Sequence, residues 1–263
     1  MPPTLSATTD HQLPAHFQSV LVLNGRPAMP IHLCLSVLRD APVDRRILFV
    51  STPQYSWADA LSELGNDSLD QYSGAYDASQ LLARIDVFYP RSRWHWQILF
   101  AFLRLVSVSD LQTPPSSYAL SSLPVMFVLC EPSCYFSGDN KGDPVLSDYV
   151  SLIVSAQSTL CALETSASQR NRPRLAVFDS GLEKLKLPIL RQEPDDHDRL
   201  EHENKPPKLE SVLPAVEKYF EWVASIVEFA PDGGESGYKV NMRSRVPYSW
   251  GHTECIESCK NIG

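Results

Sequence analysis

Two kinds of segment alternate along the chain. Short apolar runs at residues 19–23, 47–50, 125–130 and 175–178 are rich in Val, Leu, Ile and Phe and end at Asn, Thr-Pro, Glu-Pro or Asp. Runs this short, without polar alternation, predict strands buried on both faces of a parallel sheet. The most continuous is 125–130, Val-Met-Phe-Val-Leu-Cys, set between Pro124 and Glu131-Pro132 and expected at the centre of the sheet. Residues 84–89 alternate polar and apolar at their start and predict a strand nearer an edge. Between these runs, 31–38 predicts an apolar helix and 55–64 a short one, while in 93–106 and 148–163 apolar residues recur three and four apart, the spacing of a helix with one buried face. In 93–106 that face is Trp96, Leu99, Phe100, Leu103 and Val106; in 148–163 it is Leu152, Ile153, Ala156, Leu160 and Leu163. Further on, 213–220 predicts a short helix, and 222–229 and 238–246 predict two strands around the glycine-rich turn 232–237. The expected fold is α/β, a mostly parallel sheet with helices on both faces and a C-terminal antiparallel hairpin.

Because the alternation runs unbroken to about residue 190, 18–250 reads as a single domain, preceded by a disordered leader at 1–17 and followed by a tail at 251–263. Residues 191–208 change character: Glu193, Asp195, Asp196, Asp198, Glu201 and Glu203 stand among prolines, which predicts an acidic, flexible insertion. Hydrophobic content of 43% and charged content of 21% are those of a folded globular chain. A net charge of −8 argues against coating nucleic acid through the bulk field and leaves only local basic patches for such contact. The leader lacks the continuous apolar core of a secretory signal, and no apolar stretch is read as long enough for a membrane span. Cysteines at 34, 130, 134 and 161 sit in or beside apolar runs, as free thiols do in a reducing compartment. Neither Cys130 with Cys134 nor His252, Cys255 and Cys259 in the tail follows the ligand spacing of structural zinc, so no metal is expected.

Strand, Asn24-Gly25 turn and helix reproduce the layout of a phosphate-binding loop without its chemistry. Such a loop closes backbone N–H groups on phosphate at its second glycine, offsets charge with lysine and holds magnesium with a hydroxyl. Counted from Gly25, those positions hold Pro30, Ile31 and His32. Pro30 has no N–H and Ile31 no charge, so the residues read better as a plain strand-to-helix turn. The position for a magnesium-holding acid after the central run is Cys130, with Glu131 one place out of register. No cofactor and no catalytic residue are assigned. Asp179 and Ser180 follow the strand at 175–178, where open α/β sheets bind ligands, and are candidates on that ground; equally, they cap a turn. Arg91, Arg93, Trp94 and His95 combine basic and aromatic groups suited to stacking on single-stranded bases, beside the alternative of aromatic packing with a solvated basic end. Lys239, Arg243 and Arg245 alternate along the last strand and share one face, the most coherent basic patch of the chain and its candidate DNA contact.

The glycine turn at Gly25, the strand at 47–51, the Ile85-Asp86-Val87-Phe88-Tyr89-Pro90 strand running into Arg91-Ser92, the run at 125–130 and the hairpin after Tyr219-Phe220 together resemble the RecA-like recombinase paralogs. Within them the chain is most similar to the ATPase-fold partner of SWIM-domain proteins in Shu-type complexes. The resemblance spans residues 18–250 and implies a RecA-like core with a degenerate Walker A motif. It also implies a nuclear subunit that forms a heterodimer with a SWIM-domain protein or another RecA-like paralog. Such a subunit assists recombinase filaments on single-stranded DNA in homologous recombination and DNA repair. The family's catalytic residues do not carry over, since Pro30, Ile31, His32 and Cys130 depart from its motifs. Two alternatives accompany this expectation: a structural RecA-fold subunit of an Elongator-like assembly acting on transfer RNA, and a nucleotide hydrolase with a non-standard site built from Glu131, Asp179 and Arg26.

Overall fold

A computed structural model describes residues 13–14, 17–53, 55–70, 78–109, 124–137, 144–164, 173–189, 207–229 and 237–244. The chain runs β1 (Ser19–Leu23), α1 (Ala28–Asp40), β2 (Arg46–Ser51), α2 (Trp57–Asp70), α3 (Ala78–Leu82), β3 (Ile85–Phe88), α4 (Arg93–Ser109), β4 (Pro124–Cys130), α5 (Leu146–Glu164), β5 (Arg174–Asp179), β6 (Lys186–Pro188), β7 (Leu209–Ser211), α6 (Leu213–Val216), β8 (Trp222–Phe229) and β9 (Gly237–Ser244). Seven strands form one sheet in the order β3-β2-β4-β5-β1-β8-β9; only the β8–β9 pair is antiparallel. β6 and β7 form a separate two-stranded antiparallel ribbon.

Side chains alternate across the sheet because successive residues of a strand point to opposite faces. Val20, Val22, Ile47, Phe49, Met126, Val128, Ala176 and Phe178 pack under α1, α2 and α3. Leu21, Leu23, Leu48, Val50, Phe127, Leu129, Leu175 and Val177 pack under α4, α5 and α6. Every residue of β1 is buried, as is β5 beyond its first residue, which explains why these strands read as unbroken apolar runs. β4 lies between β2 and β5 and pairs in parallel with both, one place from the middle of the sheet. β3 is an outer strand, as its alternating start predicts.

Several boundaries differ from the sequence reading for identifiable reasons. Core packing begins before residue 18: Leu13 and Phe17 are each 1% exposed, and the Arg174 guanidinium lies 5.2 Å over the Phe17 ring. α1 begins at Ala28 rather than 31, because Pro30 in a first helical turn forfeits only an N–H that has no intrahelical acceptor. Its other end is held by buried Arg84, whose guanidinium donates to the carbonyls of Leu38, Ala41, Pro42 and Arg45. α2 continues past the expected Leu64 to Asp70 across a break at Gly65, where φ 67° and ψ 162° are open to glycine and strained for other residues. α5 contains an 18-residue window, Leu146–Leu163, long and apolar enough to cross a membrane by length and composition, which corrects the reading that no stretch qualifies. In the fold Tyr149, Leu152, Ile153, Ala156, Leu160 and Leu163 of this helix are buried in the core beneath the sheet. The acidic insertion overlaps the described residues only at 207–208, and the tail at 251–263 lies outside them.

Candidate functional site

The carboxyl ends of β1, β4 and β5 converge on a cleft of about 270 Å³ lined by Arg26, Pro30, Tyr55, Asp59, Glu131 and Ser180, among others. This is where an open parallel sheet presents its crevice. The turn after β1 is short: only Asn24, Gly25, Arg26 and Pro27 separate Leu23 from the first residue of α1. Asn24 takes the left-handed conformation, φ 54°, which asparagine tolerates better than most residues, and its amide donates to Glu183 Oε2 at 2.8 Å. Gly25 fits because even a methyl group would lie 3.3 Å from the Phe178 ring.

With α1 starting at Ala28, the three positions that would carry glycine, lysine and hydroxyl fall inside its first two turns. Pro30, Ile31 and His32 are all buried, Ile31 at 0% and His32 at 3% exposure. The donors at this helix end are also taken. Glu63, from α2, accepts the Ala28 N–H at 3.0 Å through Oε2 and forms an ion pair with Arg26 through Oε1. Tyr55 donates its hydroxyl to the Pro27 carbonyl at 2.7 Å. A helix amino end attracts an anion through its unpaired N–H groups and its dipole. Here a carboxylate of the same chain occupies that position, and the cleft adds Asp59 and Glu131. Each ionised carboxylate about 6 Å from a bound phosphate would oppose it by roughly 3 kcal/mol at an effective dielectric of about 20.

Beyond β4 the chain turns sharply at Glu131, whose φ of 56° is left-handed, into a 3-10 turn over Pro132–Tyr135. The Glu131 N–H donates to the Phe178 carbonyl at 2.7 Å, and its carboxylate accepts the Ser180 N–H at 3.1 Å and the Ser180 hydroxyl at 2.8 Å. Glu131 thus bridges the ends of β4 and β5, while Cys130 beside it is wholly buried. Asp179 has a different role from Ser180. Its carboxylate, 0% exposed, accepts the Ser133 N–H at 2.9 Å, the Ser133 hydroxyl at 2.5 Å, the Tyr149 hydroxyl at 2.7 Å and the Gly181 N–H at 3.1 Å. A Cβ on Gly181 would approach Ser133 Oγ to 2.5 Å, so glycine is the residue that lets this turn close. Asp179 is an internal hub joining β5, the turn after β4 and α5, whereas Ser180 and Glu131 line the cleft.

Burial, then the neighbouring Asp179 charge, pushes the Glu131 carboxyl above its ordinary range against the pull of the Ser180 donors. Burial raises Asp179 in the same direction, opposed by its four donors. The Cys134 thiol is pushed up to about 11 by burial, which leaves it protonated and unreactive at neutral pH. A carboxyl raised on folding binds its proton more tightly in the folded state, so its contribution falls as pH rises from the ordinary carboxylate range through the raised value. Glu131→Gln removes that titration. The stability of the variant relative to the natural chain is therefore expected to increase from pH 4 to pH 8, measured by urea denaturation at each pH; a difference that stays flat or decreases would remove the shift.

The other candidates are dispersed. Arg93 pairs with Asp148 at 2.8 Å, the Ser92 hydroxyl contacts His95 Nδ1 at 2.8 Å, and Trp94 stands 60% exposed. Lys239 and Arg243 share a face of β9, both exposed, but Arg243 is ion-paired with buried Glu217; Arg245 lies outside the described residues. Among the described residues no three His, Cys, Asp or Glu side chains gather as metal ligands, and His252, Cys255 and Cys259 lie outside them. Glu63, Tyr55, Ser133 and Tyr149 escaped the sequence reading, since each meets its partner across 28 to 46 residues of chain.

No protein-family model matches the chain, and no curated protein matches it. The cleft must therefore be judged on its own chemistry.

Proposed function

We propose that the chain is a non-catalytic RecA-like subunit that acts within a heteromeric complex, with a SWIM-domain protein or another RecA-like paralog as its partner. In that complex it assists a recombinase filament on single-stranded DNA during homologous recombination in the nucleus. The sequence resemblance supplies the process and the partner class. What supports the fold assignment is a mostly parallel sheet whose first strand leads through a glycine turn into a helix at the crevice, with a C-terminal antiparallel hairpin at one edge. The observation that carries the non-catalytic reading is the amino end of α1: Glu63 holds the Ala28 N–H and Arg26, Pro30 offers no donor, and Ile31 and His32 are buried.

The work of such a subunit is stoichiometric. Its folded surface holds the partner and presents charged groups to the phosphate backbone, and no bond is made or broken. Titrating ATP with magnesium into the purified chain is expected to give no calorimetric binding up to about 1 mM, a limit equivalent to roughly 4 kcal/mol of affinity. Micromolar binding abolished by Glu131→Ala would overturn the reading in favour of a hydrolase with a non-standard site.

A further inference from the structure

α4 is apolar on two sides. Trp96 and Phe100 are fully buried and Leu103 nearly so, which accounts for the face turned to the sheet. Away from it, Trp94, Ile98 and Phe102 are 60%, 65% and 44% exposed. Residues four apart stack along one side of a helix, so the three form a continuous stripe rather than scattered exposures. Single exposed apolar residues are ordinary, but an aligned row of a tryptophan, an isoleucine and a phenylalanine marks a surface that another molecule covers.

Charge identifies the kind of molecule. Residues 93–109 contain no Asp or Glu in a chain of net charge −8. Arg91 and His95 are exposed beside Trp94, and the Arg93 guanidinium lies 5.4 Å over the Trp94 ring while bound to Asp148. A second copy laid against this helix would match stripe to stripe but set Arg91 and His95 against their own like, with no carboxylate on the helix to meet them and the nearby Asp148 already bound by Arg93. Nucleic acid would find the exposed rings of Trp94 and Phe102 separated by Ile98, an apolar row that offers neither charge nor hydrogen bonds to a phosphate backbone. We propose that the exposed side of α4 docks an amphipathic helix of a partner protein whose apolar stripe is flanked by carboxylates. The inference rests on the heteromeric reading above and names its contact surface: Trp94, Ile98 and Phe102 fill the partner's stripe, and Arg91 and His95 face its carboxylates.

The test uses two fluorescein-labelled amphipathic helical peptides with the same leucine stripe, one flanked by glutamate and one by lysine, titrated against the full chain by anisotropy. The glutamate peptide is expected to bind at least about tenfold more tightly, with the difference shrinking at high salt as screening demands. Ile98→Ser and Phe102→Ser, both at exposed positions, are each expected to weaken it about tenfold while leaving the circular dichroism spectrum unchanged. Equal binding of the two peptides, binding of neither, or undiminished binding to both variants would overturn the proposal. So would a concentration-dependent dimer lost in Ile98→Ser, which assigns the face to a second copy, or oligothymidine binding lost in that variant, which assigns it to nucleic acid. Failure here leaves the ATP titration untouched, and ATP binding leaves the peptide result untouched, so the two ideas fail separately.

Discussion

Asp179→Ala is expected to lower the stability of the fold by about 3 kcal/mol. The carboxylate gathers four donors from three places: Ser133 from the turn after β4, Tyr149 from α5, and Gly181 from its own turn. Removing it leaves two backbone N–H groups and two hydroxyls without their acceptor at a site with no exposure, and each such buried orphan costs about 1–3 kcal/mol before relaxation. Asp179→Asn also fails, since its amide turns a donor toward either the Ser133 N–H and Tyr149 hydroxyl or the Ser133 hydroxyl and Gly181 N–H. Urea denaturation monitored by tryptophan fluorescence measures the loss. A loss below about 1 kcal/mol for both variants would mean that the four contacts are not held in solution. The same experiment separates a structural acid from a catalytic one, because the substitution should act on folding whether or not any ligand is present.

Arg243→Glu is expected to cost about 2 kcal/mol, a moderate value because the arginine is half exposed even though its partner is not. Glu217 has a side chain only 6% exposed, and its charge is met by the Arg243 guanidinium reaching across from β9. Reversing the arginine sets two carboxylates against each other where the hairpin joins the rest of the sheet. Lys239→Glu, on the same face of β9, is expected to leave the melting temperature within a degree or two, since surface substitutions rarely exceed about 0.5 kcal/mol. This pair decides how the DNA reading is tested. Lost DNA binding in an Arg243 variant confounds a damaged hairpin with a missing phosphate contact, whereas Lys239 reports on contact alone. In the assembled complex, Lys239→Glu should weaken single-stranded DNA binding and flatten its logarithmic salt slope by about 0.7 or more. An unchanged slope with an intact complex would take Lys239 out of the proposed DNA contact.

Much of the sheet is legible in the sequence because burial on both faces leaves a simple mark: β1, β2, β4 and β5 are the apolar runs, and each starts and stops within a residue or two of them. β3 reads as an outer strand from its Asp86, which pairs with Arg46 at 2.6 Å at the sheet margin. The ribbon of β6 and β7 is not legible: each strand is only three residues long, and Leu187 is its one buried apolar side chain. The site is legible only where the chain is local. That Pro30 and Ile31 forfeit the phosphate donors follows from two adjacent letters. That Glu63 takes the place of the anion does not, because α2 reaches the start of α1 by packing, and nothing in the local pattern of residues 57–65 marks one of its acids as facing inward. Asp179 illustrates the same limit. Its position at the end of β5 is visible, but its direction depends on Tyr149 and Ser133, which meet it only once α5 and the turn after β4 are in place.

The ribbon of β6 and β7 has a consequence for how the chain tolerates variation in length. Because Lys186, Leu187 and Pro188 pair with Ser211, Glu210 and Leu209, the two ends of the acidic stretch between them leave the body side by side, as if from a single stem. Closing a loop on such a stem grows costlier by only about 0.6 kcal/mol for each doubling of its length. A longer connection between the two strands is therefore expected to cost the fold little.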